Sequence, residues 1–193
     1  QLAERQLRRH VLPAAAQERC TTAPIASLPL RLEQNRALVE IEINDQPAWF
    51  ALDTGASNSV VSTRLVERLR LPTTRYPSMG ATDISGNRTA KLTYGVRARL
   101  AGQNGNSFLR FFVSELQVDG LLASDLLRGF DIDLDFAAAR MNLFAPGVCG
   151  VPPGTGPFQA ISSAVIGGRL FAPVTLDGKE LMAPVDTGAT RSY

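Results

Sequence analysis

Histidine is almost absent from this chain of 193 residues, since His10 is the only one. It lies in an N-terminal arm, which leaves a Ser-His-Asp or Cys-His hydrolase without a well-placed base. Cysteine is nearly as scarce, with Cys20 and Cys149 alone. Two thiols and one imidazole do not make an ordinary zinc cluster. Lysine occurs only at Lys91 and Lys179, and all the rest of the 20 basic residues are arginine. That bias, with abundant Ala and Leu, points to a GC-rich bacterial genome and says nothing of mechanism. The formal net charge of +2 excludes the strong positive field on which nucleic-acid binding depends. No stretch approaches the ~20 apolar residues of a membrane span. A calcium loop fails as well. Asp131, Asp133 and Asp135 imitate its opening, but Phe136 stands where that loop needs Gly. Their spacing puts the three carboxylates on one solvated strand face, opposite Ile132, Leu134 and Phe136. Arg64, Arg68 and Arg70 read as a solvated helix face. No metal and no cofactor is implied.

What the chain does have is a repeated triplet. Asp-Thr-Gly occurs at Asp53-Thr54-Gly55 and again at Asp186-Thr187-Gly188. Each copy follows a short apolar strand, Trp49 to Leu52 and Leu181 to Val185, and each is followed by Ala and a hydroxyl residue. Displaced by 186 − 53 = 133 residues, the segment from Ala37 to Val60 aligns without a gap on Leu170 to Tyr193. Ile41 then meets Val174, Ile43 meets Leu176 and Leu52 meets Val185, while the turn Asn44-Asp45 meets Asp177-Gly178. A repeat in register implies two copies of one supersecondary unit, and here each copy ends in a carboxylate.

Two equivalent carboxylates suit the hydrolysis of a peptide bond. Held ~3 Å apart, they repel by roughly 5 kcal/mol at an effective dielectric near 20. They therefore share one proton over a wide pH range. The ionised member takes a proton from water, and the protonated member polarises the carbonyl that the water attacks. Gly permits a tight turn with close backbone approach, and a Thr hydroxyl can cross-link the two loops.

In these residues the sequence resembles the retropepsin-like and pepsin-like aspartic proteases. Asp53-Thr54-Gly55-Ala56-Ser57 is similar to the retroviral-type loop, in which Ala follows the Gly. Gly120-Leu121-Leu122-Ala123-Ser124-Asp125-Leu126-Leu127 is similar to the family's second signature, with Ala123 where the family has Gly. The resemblance implies an all-β, retropepsin-like (acid protease) closed barrel lobe with one or two short helices, plus the beginning of a second similar lobe. It implies an aspartic endopeptidase acting on a polypeptide, with Asp53 and Asp186 as the catalytic pair. Thr54 and Thr187 would grip each other across a pseudo-twofold axis, supported by Gly55 and Gly188. The polar stretch from Ser78 to Tyr94, with a hairpin tip at Asp83-Ile84-Ser85-Gly86-Asn87, would be a flap, and Ile84, Ser85 and Gly86 its substrate contacts. Two other readings stay open. One is a homodimeric retropepsin-type enzyme using Asp53 from each chain; the other is a noncatalytic peptide-binding or scaffold module.

The chain divides into an N-terminal arm (1–36), a first lobe (37–144), a Pro/Gly-rich linker (145–160) and the start of a second lobe (161–193). The arm is broken by Pro13, Pro24 and Pro29. Leu38 to Ile43 alternates as a half-buried strand, and Ser62 caps a helix running to about Arg70, stopped by Leu71-Pro72. Strands are expected at Val96–Leu100 and Phe108–Val113. The second lobe, as it stands, is too short to bury a core alone, so a longer protein or another chain is expected to complete it. A start at Gln1 suggests a removed leader and export to the periplasm or beyond. In an oxidising compartment Cys20 and Cys149 would form a disulfide clasping the ends of the first lobe.

Overall fold

The computed structural model describes residues 23–76, 80–82, 86, 88–100, 102–104, 109–146, 161 and 163–189. His10, Cys20, Cys149, Ile84 and Ser85 lie outside the described residues, and with them the expected disulfide and most of the flap tip. The chain opens with three eight-residue strands, β1 (Ala26–Glu33), β2 (Arg36–Ile43) and β3 (Gln46–Asp53). Then come β4 (Val60–Ser62), helix α1 (Thr63–Leu69), β5 (Thr73–Arg75), and the pair β6 (Ala81–Thr82) and β7 (Arg88–Thr89). Next are β8 (Lys91–Thr93), β9 (Ala98–Leu100), β10 (Gln103–Asn104), β11 (Phe112–Ser114), β12 (Gly120–Ala123) and the short helix α2 (Ser124–Leu127). The hairpin β13 (Asp131–Asp135) and β14 (Arg140–Phe144) follows, and β15 (Ala164–Ile166), β16 (Arg169–Leu176) and β17 (Lys179–Pro184) form a separate three-stranded sheet. Among the described residues no helix is long and apolar enough to cross a membrane.

The fold is almost entirely β, with two short helices, as expected. Its main sheet runs β13-β14-β1-β2-β3-β12-β4-β11-β8-β5. This corrects the expectation of a closed barrel. Closure needs the two end strands to pair, and among the described residues β13 pairs only with β14 and β5 only with β8. β1 also lies in a stretch read from sequence as an arm. It is a strand that changes partners at its middle: Ala26 to Pro29 pair with β14, and Leu30 to Glu33 pair with β2. Pro29 sits at that exchange, a position where a strand tolerates a missing N–H donor.

Four two-residue hairpin turns shape the sheets. Gln34-Asn35, Asn44-Asp45, Gly167-Gly168 and Asp177-Gly178 all have positive φ at both residues, as a type I′ turn requires. Side chains then sort by period two. Val39, Ile41 and Ile43 of β2 are buried, while Glu40 is exposed and Glu42 half-buried. They pack with Phe50, Leu52, Leu65, Val96, Phe111 and Leu122 in one core, where Phe50 and Phe111 meet edge to face at 6.4 Å. Each such side chain, fully buried, contributes about 1.5–3 kcal/mol.

Ser62 caps α1 as expected, its Oγ accepting from the Leu65 N–H at 3.0 Å. Arg64, Arg68 and Arg70 are all exposed, as a solvated helix face requires, and two of them also make distant bonds. Arg68 reaches the buried Asp119 carboxylate at 3.2 Å, which also accepts the Trp49 N–H, and Arg64 donates to the Gln117 carbonyl. These partners are some 50 residues away in sequence, so helix periodicity alone does not reveal them. The three aspartates of β13 do lie along one strand. Asp133 accepts from the Asn142 amide and Asp135 from the Ala138 N–H, both within their own hairpin.

The β16–β17 hairpin repeats the turn position of β2–β3 shifted along the chain, with β17 six residues long against eight in β3, but it does not repeat the burial. Leu170, Val174, Leu176, Leu181, Met182 and Val185 are all exposed, and of its apolar residues only Ala172 is buried.

Candidate active site

Asp53 ends β3 because β3 runs beside β12 in parallel register, Ala123 opposite Asp53. The chain then leaves the sheet in the turn Thr54-Gly55. Ala123, where a glycine was the family expectation, is wholly buried, so the packing behind the loop accommodates its methyl group. Gly120 carries the close approach instead: a Cβ there would lie 2.5 Å from the Val60 carbonyl oxygen. The loop beyond Gly55 is anchored to α2. The Ser59 hydroxyl donates to Asp125 Oδ1 at 2.6 Å and its N–H to Oδ2 at 3.0 Å, while the Ala123 N–H donates to Ser59 Oγ at 2.9 Å.

The second triplet leaves β17 in the same way and meets the first. The Thr54 N–H donates to Thr187 Oγ1 at 3.2 Å, and the Thr187 N–H donates to Thr54 Oγ1 at 3.1 Å. Each hydroxyl then passes its own proton onward, Thr54 to the Val185 carbonyl at 2.5 Å and Thr187 to the Leu52 carbonyl at 2.9 Å. Each threonine hydroxyl thus donates once and accepts one N–H in fastening one loop to the other.

The glycines are placed reciprocally. A Cβ on Gly55 would come within 2.6 Å of Asp186 Oδ1, and one on Gly188 within 2.8 Å of Asp53 Oδ1. Each carboxylate therefore rests on the other loop's glycine. Asp186 Oδ1 also accepts the N–H groups of Gly188 and Ala189, at 2.8 and 3.1 Å.

The two carboxyls differ in depth, Asp53 half-buried and Asp186 exposed. Burial pushes the Asp53 carboxyl above its ordinary value of 3.8, and the charge of Asp186 adds to the rise. Backbone N–H groups of Ala56 and Gly55 oppose it. This sets a sign for stability. Below about pH 3.8 Asp53 is protonated in both folded and unfolded chains and costs nothing. As pH rises toward its elevated folded value the unfolded chain binds fewer protons than the folded one, so stability falls. Asp53→Asn, which keeps the shape and an acceptor oxygen, removes this cost. The variant will melt above the parent near neutral pH, and the difference will close near pH 3. A gap independent of pH would contradict the assignment.

Of the flap residues expected from sequence, Gly86 alone is described. Its φ of +84° puts it in the left-handed region, as a turn between β6 and β7 requires. Sequence reasoning passed over Ser57, Ser59, Ser124, Asp125 and the pair Gly167-Gly168, all of which hold the two loops in place. Asp125 and Ser124 lay within the second signature, which was the available signal.

The pattern of the aspartyl protease family matches residues 39–126. That segment is 88 of the 193 residues (126 − 39 + 1) and lies wholly within the first lobe. The match takes in both the first triplet and the β12–α2 segment behind it. Among solved structures, the chain is similar to the EIAV protease complexed with the inhibitor HBY-793, at 29% identity over 48% of this chain and 86% of that one, with a TM-score of 0.41. It is also similar to a retropepsin-like aspartic protease from Rickettsia conorii, at 16% identity over 61% and 86% of the two chains, with a TM-score of 0.44. The retroviral protease-like domain of Ddi1 from Leishmania major is 20% identical over 55% and 94%, with a TM-score of 0.38. No curated protein sequence matches the chain. Asp53 lies inside the matched segment and Asp186 beyond it.

Proposed function

We propose that the chain is an aspartic endopeptidase whose catalytic pair, Asp53 and Asp186, forms within one polypeptide. The observation that carries this reading is the reciprocal seating of each carboxylate on the other loop's glycine, locked by the crossed threonine bonds. The more buried Asp53 holds the shared proton and the exposed Asp186 is the base.

The steps follow from those roles. Asp186 takes a proton from a water molecule, whose oxygen bonds to the scissile carbonyl carbon. Asp53 gives its proton to the carbonyl oxygen, so that a neutral gem-diol forms. The proton on Asp186 then passes to the amide nitrogen, a gem-diol hydroxyl returns a proton to Asp53, and the C–N bond breaks. Carboxylic acid and amine leave, and the pair regains its starting state. An extended polypeptide can add as a strand to the β6–β7 hairpin, its alternate side chains entering apolar pockets.

Cleavage of a mixed peptide library between about pH 3 and pH 7 tests the proposal. The complete protein will cut, and its Asp53→Asn variant will not. A folded parent that binds peptides without cutting them would make the lobe a peptide-binding module instead.

A further inference from the structure

The crossed threonines are not the only tie between the two carboxylate loops. The Ser57 hydroxyl donates to the Gly167 carbonyl at 2.7 Å, and the Ser124 hydroxyl donates to the Gly168 carbonyl. Ser124 Oγ also lies 3.0 Å from the Ala56 carbonyl. One hydroxyl has a single proton, and the Gly168 oxygen is the nearer acceptor, so that proton is directed across to the second sheet.

Gly167 and Gly168 form the type I′ turn between β15 and β16. Their φ values of +58° and +81° suit glycine, and a Cβ on Gly168 would meet nothing closer than Ser57 Cβ at 3.6 Å. Glycine is needed here for its backbone angle, not for space. The turn leads straight into β16, where the Leu170 carbonyl accepts the Val185 N–H at 2.9 Å. Val185 immediately precedes Asp186. A short ring of bonds therefore runs from Asp53 along its loop to Ser57, across to Gly167, through Leu170 to Val185, and back to Asp53 through Asp186.

We propose that Ser57 and Ser124 are positioning residues that clamp the Gly167-Gly168 turn and so set where Asp186 stands relative to Asp53. The threonine bonds fix the loops at their tips, and the serine clamp fixes the strand from which the second loop springs. With the threonines alone the second sheet can rock about the tips. With both ties it cannot, because two separated points of attachment define an orientation as well as a distance. The proposal rests on the Asp53–Asp186 reading of function.

The test is Ser57→Ala/Ser124→Ala in the full chain, beside Ser27→Ala, which removes a hydroxyl that bonds Asn142 within the first lobe. The double variant is expected to lose roughly 10- to 100-fold in kcat, the scale of a misplacement of about 1 Å, with KM little changed and the Ser27→Ala control unaffected. A second readout needs no hydrolysis. Burial is the first cause of the raised Asp53 value and the charge of Asp186 the second, so a retreat of Asp186 will move the NMR titration of the Asp53 carboxyl part of the way down. Failure of the parent to cleave would overturn the proposed function, while the titration would still judge the clamp. A double variant with the parent's kcat and the parent's Asp53 titration would overturn the clamp itself.

Discussion

Asp186→Asn will reduce peptide cleavage by roughly 10²- to 10⁴-fold, the contribution of a positioned acid–base group, while leaving the fold intact. The asparagine amide cannot take a proton from water. Its Oδ1 can still accept the Gly188 and Ala189 N–H groups that Asp186 Oδ1 accepts now, so the loop keeps its shape. The same variant separates the one-chain enzyme from a homodimer in which Asp53 of each chain supplies the pair. In the homodimer Asp186 is a bystander and its substitution is harmless. Initial rates against protein concentration give an independent reading, linear for a pair within one chain and steeper than linear for a dissociating dimer. Full activity in Asp186→Asn would leave the one-chain pair without support.

Alanine at either triplet glycine will be nearly as damaging, for a different reason. Neither Gly55 nor Gly188 has a left-handed φ, so the issue is space alone. A new Cβ within 2.6–2.8 Å of a carboxylate oxygen must push the carboxylates apart. Catalysis tolerates little of that, and a loss of about 10²-fold or more in kcat/KM is expected. The two sites differ in stability. Gly55→Ala presses on the exposed Asp186, which can swing toward solvent, whereas Gly188→Ala presses on the half-buried Asp53. Thermal melts will therefore show the larger loss for Gly188→Ala, of about 1–3 kcal/mol. Gly129→Ala, with nothing within 4 Å of its Cβ and no left-handed φ, is the control expected to behave as the parent. Equal, small effects at all three glycines would mean that the carboxylates do not depend on these glycines for their seating.

What could be read from sequence followed the range of the interactions. The alternation of Val39, Ile41 and Ile43 and the Ser62 cap are local, and β2 and α1 form where they were expected. β1 was obscured because Pro29 breaks the usual strand signal, and only the exchange of partners between β14 and β2 makes it acceptable. The two triplets were visible as a pair, since a repeat carries its own register. Their inequality was not. Identical residues sit in different surroundings, Asp53 beside the buried strand β12 and Asp186 at the end of a hairpin whose apolar side chains are exposed. The serine clamp was hidden for a similar reason. Gly167-Gly168 precedes the aligned stretch that begins at Leu170, and an isolated serine carries no signal of its partner. The bond from Arg68 to Asp119 was not legible because Asp119 is distant in sequence and near only in the fold.

The type I′ turns bear on timing. Each joins neighbouring strands, and such hairpins close on their own within ~1–10 μs. The pairing of β12 with β3 and the bonds between threonines 133 residues apart must first overcome the entropy of long loops. The carboxyl pair is accordingly among the last features to assemble. On the proposed function, a chain still folding lacks the means to cut, and it gains them only once its own backbone has been tied into the sheets.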